Sequence, residues 1–159
     1  MLRVSIASST PEPAQPGDLS AIKALLERCG LPQQDLNTAH LADFLVLREV
    51  DAPIGIVGLE RYGGDGLLRS LAVKERYRGQ GAGEALVAAL ESRARQIGVE
   101  TLYLLTMTAG DFFASQGYEV ISRDTAPAGV QRSAEFTSLC PVNAVCMRKP
   151  LVRIPRTSL

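Results

Sequence analysis

The residues best suited to chemistry fall in one run, Arg76-Tyr77-Arg78-Gly79-Gln80-Gly81-Ala82-Gly83. Glycines at alternate positions let backbone N–H groups approach a ligand with no side chain between them. The run leads into a helix N-terminus, where orphan N–H groups and the helix dipole favour an anion. Arg76 and Arg78 add fixed charge with donors that match phosphate oxygens. A pyrophosphate is the simplest ligand for that combination. The glycines fall as G-x-G-x-G, so neither the P-loop ending Gly-Lys-Ser/Thr nor the dinucleotide pattern G-x-G-x-x-G is present. A glycine-rich β–α turn with no ligand would not need two arginines. Arg69 stands out for another reason. It lies inside the apolar run Leu67–Val73, where an arginine is costly unless paired, and the two-residue period puts it on the face of Leu71 and Val73.

These residues need a frame. Leu67 to Val73 reads as a strand and Gly83 to Ile97 as an amphipathic helix burying Leu86, Leu90, Ala94 and Ile97, stopped at Gly98. The strand Glu100 to Thr106 follows that crossover and is expected parallel to Leu67–Val73. Upstream, Leu2 to Ala7 alternates as a strand and Ser8 to Pro16 reads as a loop. Asp18 is placed to cap a helix burying Leu19, Ile22, Leu25, Leu26 and Cys29, ended by Gly30 and Pro32. Gln33 to His40 is ambiguous, with a short helix as one reading. Asp43–Val50 and Ile54–Glu60, joined by a turn at Asp51-Ala52-Pro53, form an antiparallel meander with Leu67–Val73. Downstream come a short helix, Ala109 to Ser115, and a strand, Tyr118 to Ser122. Polar Arg123–Ser133, irregular Glu135–Pro141 and a last strand, Ala144 to Lys149, complete the series.

At 159 residues the chain suits one domain with a proper core. Its 17 basic and 17 acidic residues give a formal net charge of zero, which argues against a general nucleic-acid binder. No apolar run reaches the ~18 residues of a membrane span, and the N-terminus does not read as a secretion signal. Three cysteines at unpatterned spacing, Cys29, Cys140 and Cys146, suggest reduced thiols and a cytoplasmic location. Soft metalloids prefer thiolates, but the C-x5-C spacing of Cys140 and Cys146 matches no standard metal motif, and burial is the plainer reading. His40, the one histidine, reads as a boundary residue or an acceptor contact.

Arg78, Gly81 and Gly83 spell Arg-x-x-Gly-x-Gly after the strand end Leu71-Ala72-Val73, and Phe112-Phe113-Ala114-Ser115-Gln116-Gly117-Tyr118 follows downstream. Together these resemble the acetyl-CoA motif and second signature of the GNAT acyltransferase superfamily. The resemblance implies an α/β (α+β) GNAT fold: a mixed, mostly antiparallel central sheet with helices on both faces and a splayed parallel strand pair. It covers one domain, residues 1–151, with 152–159 a loose tail. It implies direct acetyl transfer from acetyl-CoA, with no metal, to the amine of a small-molecule acceptor. No nucleic acid or membrane is expected as a partner, and a homodimer is left open.

The resemblance also implies roles. Gly79, Gln80, Gly81, Ala82 and Gly83, with Arg78, would hold the pyrophosphate. The backbone of Leu71, Ala72 and Val73 would pair with the pantetheine arm, and an N–H near Leu71 or Ala72 would polarise the carbonyl. Phe113 lies where many members have a tyrosine that protonates the leaving thiolate; Thr106, Thr108, Ser115, Tyr118 or water would have to substitute. Glu60, across from about Leu67, is the candidate base, read alternatively as a solvated charge or a partner of Arg69. Asp65 and Glu49 are weaker candidates. Arg69 is read as a bidentate sensor for an acidic acceptor, or as a structural pair with Glu60 or Asp65.

The segment from Glu135 to Met147, with Leu67-Leu68-Arg69-Ser70 and Leu104-Leu105-Thr106, looks like the GNAT branch found with arsenic-resistance genes. That implies a small acidic, amino-acid-like acceptor, including arsenic- or phosphorus-bearing analogues. The Leu-Thr and Phe-Phe pairs are also similar to short glutamate N-acetyltransferases. An acyl-CoA-binding regulator that has lost catalysis remains the alternative from another class.

Overall fold

The computed structural model describes residues 10–151. The strand expected at Leu2–Ala7 and the tail 152–159 lie outside the described residues. Among those residues seven strands form one mixed sheet in the order β1-β2-β3-β4-β5-β7-β6. They are β1 (Glu12–Pro13), β2 (Phe44–Glu49), β3 (Ala52–Tyr62), β4 (Asp65–Val73), β5 (Thr101–Thr106), β6 (Glu119–Ile121) and β7 (Val145–Pro150). The expected meander is β2-β3-β4, antiparallel throughout. The chain crosses over through helix α2 (Ala82–Gln96), and β5 pairs parallel to β4 as expected of strands joined by a helical crossover.

The alternation of side chains along β2 and β3 sorts the core into two layers. Leu45, Leu47, Val57 and Leu59 pack with Leu86, Val87 and Leu90 of α2. Phe44, Val46 and Ile56 face the other way, onto Ile22, Leu25 and Leu26 of helix α1 (Leu19–Arg28). Each such side chain contributes about 1.5–3 kcal/mol when fully buried. The two helices therefore cover opposite faces. The Phe44 ring lies over Gly58, where any Cβ would overlap it, which explains a glycine inside a central strand.

Several local expectations need correcting. Asp18 does not cap α1 with its side chain. Pro16 starts a 3-10 turn that ends at Asp18, and the carboxylate turns back to accept the Gln15 N–H at 2.7 Å. It also takes both arms of Arg48, at 2.8 and 2.5 Å. The hairpin turn falls at Val50-Asp51, one residue early, with Ala52 already paired to Glu49. Gln33–His40 forms turns, and helical winding begins only in the 3-10 segment His40–Asp43. Glu135–Leu139 is a π-helical turn, preceded by a short helix, α4 (Ala128–Gln131). Helix α3 spans Gly110–Ser115.

Candidate active site

The glycine-rich turn connects the end of β4 to α2. Gly79 and Gly81 have φ of 75° and 86°, left-handed values that glycine adopts without strain, and Gly81 is the N-cap of α2. A Cβ at either would project into open space, so the turn's outer surface is free for a ligand to approach. Within the described residues no hydrogen bond takes the N–H of Gly79, Gln80, Gly81, Ala82 or Gly83. That leaves a row of donors at the positive end of a 15-residue helix. The Arg78 side chain is turned inward: Nε donates to the Val73 carbonyl at 2.9 Å and Nη2 lies 3.3 Å from Cys29 Sγ. Arg78 thus fastens the turn to the end of β4. Arg28, Lys74, Arg76 and Arg78, with Glu75, line a 340 Å³ recess beside it.

The two parallel strands separate, as the family resemblance implies. Pairing of β4 with β5 is confined to Asp65–Leu67 against Thr101–Tyr103, and Leu104–Thr106 pairs only with β7. The parting coincides with a bulge. Ile56 faces Ala72 while Gly58 faces Arg69, so β4 carries one extra residue, and Ser70 sits there at φ 62°. A cleft of 680 Å³ opens at this point. Ser70, Leu71, Leu104, Thr106, Phe113 and Glu135 are among its lining residues.

The bulge overturns the expected facing of Arg69. The two-residue period fails across the extra residue: Leu71 and Val73 pack on the α2 layer, whereas Arg69 points to the opposite side. There its side chain is fully buried. Nη1 donates to Asp35 Oδ2 at 2.6 Å and Glu60 Oε2 at 2.7 Å; Nη2 donates to Asp35 Oδ1 at 2.9 Å; Nε donates to Ser70 Oγ at 3.0 Å. Glu135 Oε2 lies 3.4 Å from Nε. The fork expected to be open for an acceptor is thus held by Asp35. Asp65, one of the partners expected, is not among these groups.

Glu60 also sits differently from a free base. One carboxylate oxygen accepts from Arg69 and the other from the Tyr62 hydroxyl, and the residue is absent from the cleft lining. Asp35, His40 and Glu60 bring ligand-type atoms within 4.8 Å of one another, but the Arg69 guanidinium bonds two of them. His40 orders this loop through Nδ1, which accepts the Asn37 N–H at 3.2 Å.

Three carboxylates face one guanidinium here, and the excess charge is uneven. Burial would raise Asp35, but hydrogen bonds and charge from Arg69 hold it below the usual carboxylate range. Burial lifts Glu135 to about 7, opposed by Arg69 and reinforced by the charges of Glu60 and Asp35. Burial also pushes the Cys140 thiol up to about 12 and that of Cys146 up to about 11, so neither is a ready thiolate.

Phe113 is buried, packed edge-on to Tyr118, and borders the cleft. Of the hydroxyls that could replace its missing one, Tyr118 donates to Glu91 at 2.9 Å and Ser115 to the Phe112 carbonyl at 2.5 Å. Thr106 and Thr108 line the cleft; Thr106 Oγ1 accepts the Ala109 N–H and keeps its own proton to donate. Sequence reasoning missed Asp35 and Glu135 as site residues. Glu135 is carried into the site by its neighbour Phe136, which joins the buried cluster of Leu67 and Tyr103, a tertiary contact that the sequence does not signal.

Comparison with known proteins agrees with this geometry. Residues 40–120 match the family described as acetyltransferase (GNAT) domain. An amino-acid acetyltransferase of Pseudomonas putida is 42% identical over 67 residues, covering 42% of this chain and 14% of the relative. One from Neisseria meningitidis is 30% identical over 122 residues, covering 72% of this chain and 28% of the relative. The chain thus spans less than a third of the length of either. Among solved structures, N-acetylglutamate synthase from Neisseria gonorrhoeae, complexed with coenzyme A and N-acetyl-glutamate, superposes with a TM-score of 0.81 at 26% identity. That match covers 92% of this chain and 36% of the other.

Proposed function

This chain belongs to the GNAT acetyltransferase family, and from that premise we propose that it is an acetyl-CoA-dependent N-acetyltransferase of a small amino-acid-like acceptor. The observation that carries the proposal is the row of unbonded N–H groups from Gly79 to Gly83, set beside strands that part at Ser70. In this reading the turn holds the pyrophosphate, with Arg78 fixing its shape. The backbone of Leu71, Ala72 and Val73 lies along the pantetheine arm, Phe113 borders the thioester, and an N–H near Leu71 or Ala72 meets the oxyanion. The fold and chemistry of the amino-acid acetyltransferases and N-acetylglutamate synthase support a small amino acid as acceptor.

The finer reading is an acidic acceptor, glutamate-like or an analogue bearing phosphorus or arsenic. Support for it comes from Arg69 in the cleft wall and from the similar N-acetylglutamate synthase structure, which is complexed with N-acetyl-glutamate. It requires the acceptor's acid group to take over the side of the Arg69 fork that Asp35 holds. Reduced cysteines fit a cytoplasmic enzyme, and among the described residues no helix is long and apolar enough to cross a membrane. A coenzyme-binding regulator without catalysis is favoured by one feature, the absence of a hydroxyl at Phe113. A thermal-shift and thiol-release screen separates the two. Acetyl-CoA should stabilise the protein, and one panel member among glutamate, other amino acids and their phosphorus or arsenic analogues should release thiol. Stabilisation with no release across the panel would favour the regulator.

A further inference from the structure

Taking the acetyl-transfer reading as its basis, we propose that the Glu135 carboxylate is the group that removes the proton from the acceptor's ammonium. Glu135 lies beyond the residues that match the family, on the π-helical turn before Cys140. Glu135 lines the cleft together with Ser70, Leu71, Leu104 and Thr106, the wall where the two strands part. The other two carboxylates of the cluster are engaged with Arg69: Asp35 holds the fork, and Glu60 is bonded at both oxygens; neither is among the residues lining the cleft. Glu135 is held more loosely: Arg69 Nε approaches its carboxylate at 3.4 Å, and the Cys140 thiol of its own turn hydrogen-bonds to it.

The groups that face it are Arg69 from β4, Glu60 from β3, Asp35 from the loop before His40, and the Cys140 thiol from its own turn. The guanidinium is already outnumbered, so a cation entering the cleft finds uncompensated negative charge at Glu135. Burial keeps that carboxyl near neutrality in its titration, where a base can both accept and release a proton at cellular pH.

The step balances. A proton leaves the ammonium for Glu135, giving a neutral amine and a carboxylic acid. The amine nitrogen attacks the thioester carbon, the oxyanion collapses, and the carbon–sulfur bond breaks. The thiolate takes the second nitrogen proton, which leaves amide and free coenzyme thiol. Glu135 then returns its proton to water.

The test is steady-state thiol release at a series of pH values. It uses L-glutamate, or whichever panel amino acid releases thiol fastest, and that acceptor's aminooxy counterpart, whose nitrogen is unprotonated near neutrality. In the wild type, kcat/KM for the amino acid should rise along a limb near 7 that the aminooxy profile lacks. Glu135→Gln should lose that limb and about 100-fold in kcat with the amino acid, stay within about threefold with the aminooxy acceptor, and keep its acetyl-CoA KM. A variant that keeps the limb and the rate, or that falls equally with both acceptors, would overturn the assignment. Should Glu135→Gln not fold, the wild-type profiles decide alone: a limb shared by both acceptors, or seen with neither, overturns it. Wild-type protein that turns over no panel member defeats the acetyl-transfer reading itself, a different failure.

Discussion

Asp35 and Arg69 form a bidentate pair, at 2.6 and 2.9 Å, that joins an irregular loop to the central strand β4 beside the cleft. Thirty-four positions separate them in sequence. The pair sets the cleft's charge, since Arg69 is then unable to neutralise Glu60 and Glu135 fully.

Removing the guanidinium should unmask that balance. Arg69→Met leaves three carboxylates in a buried site and is expected to cost about 3–5 kcal/mol of stability near neutral pH. The cost should shrink in acid, where the carboxylates protonate. Urea unfolding at two pH values measures both; a loss below about 1 kcal/mol would mean that the cluster is not a structural unit.

Glu135 should give stability an unusual pH slope. Its carboxyl group is raised from 4.5 to about 7, so in that window the folded chain binds a proton that the unfolded chain has released. Its contribution is therefore full below about 4.5 and lost as pH rises through about 7. Asp18 and Asp35 act in the opposite sense: both are lowered from 3.8, and the stability they add above that value goes as pH falls through their lower folded values. Glu135→Gln should thus melt above wild type at about pH 8, with the gap closing towards about pH 4.5. Equal melting temperatures at both ends would contradict the raised carboxyl.

Val50 is the counterpart at the surface. It is 90% exposed and adopts φ 57° in the β2–β3 turn, a conformation that is poor for a β-branched residue. Val50→Gly should stabilise the protein by about 1 kcal/mol with no effect on turnover. Thermal unfolding reads the first and thiol release the second.

What the sequence made legible follows physical range. The helix α2 and the strands β4 and β5 were readable from 3.6- and 2-residue periods, and the glycine turn between them from residue type. Val50 gave no hint of a turn, because the glycine or asparagine that usually marks one is missing. The bulge at Ser70 carries no glycine or proline either, so the strand period ran through it and put Arg69 on the wrong face. Asp35 and Glu135 meet Arg69 only through tertiary packing, from loops whose own sequence has no period to read.

The central claim is that the turn from Arg78 to Gly83 holds the pyrophosphate of acetyl-CoA. Calorimetric titration of the wild type and of Gly81→Val with acetyl-CoA tests it most directly. Valine at φ 86° costs about 1–2 kcal/mol of stability and sets two methyl groups on the open surface of the turn. The account predicts saturable binding by the wild type and a loss of at least about 100-fold in a variant that circular dichroism shows to be folded. Equal affinity in the two proteins, or no binding by the wild type, would contradict it.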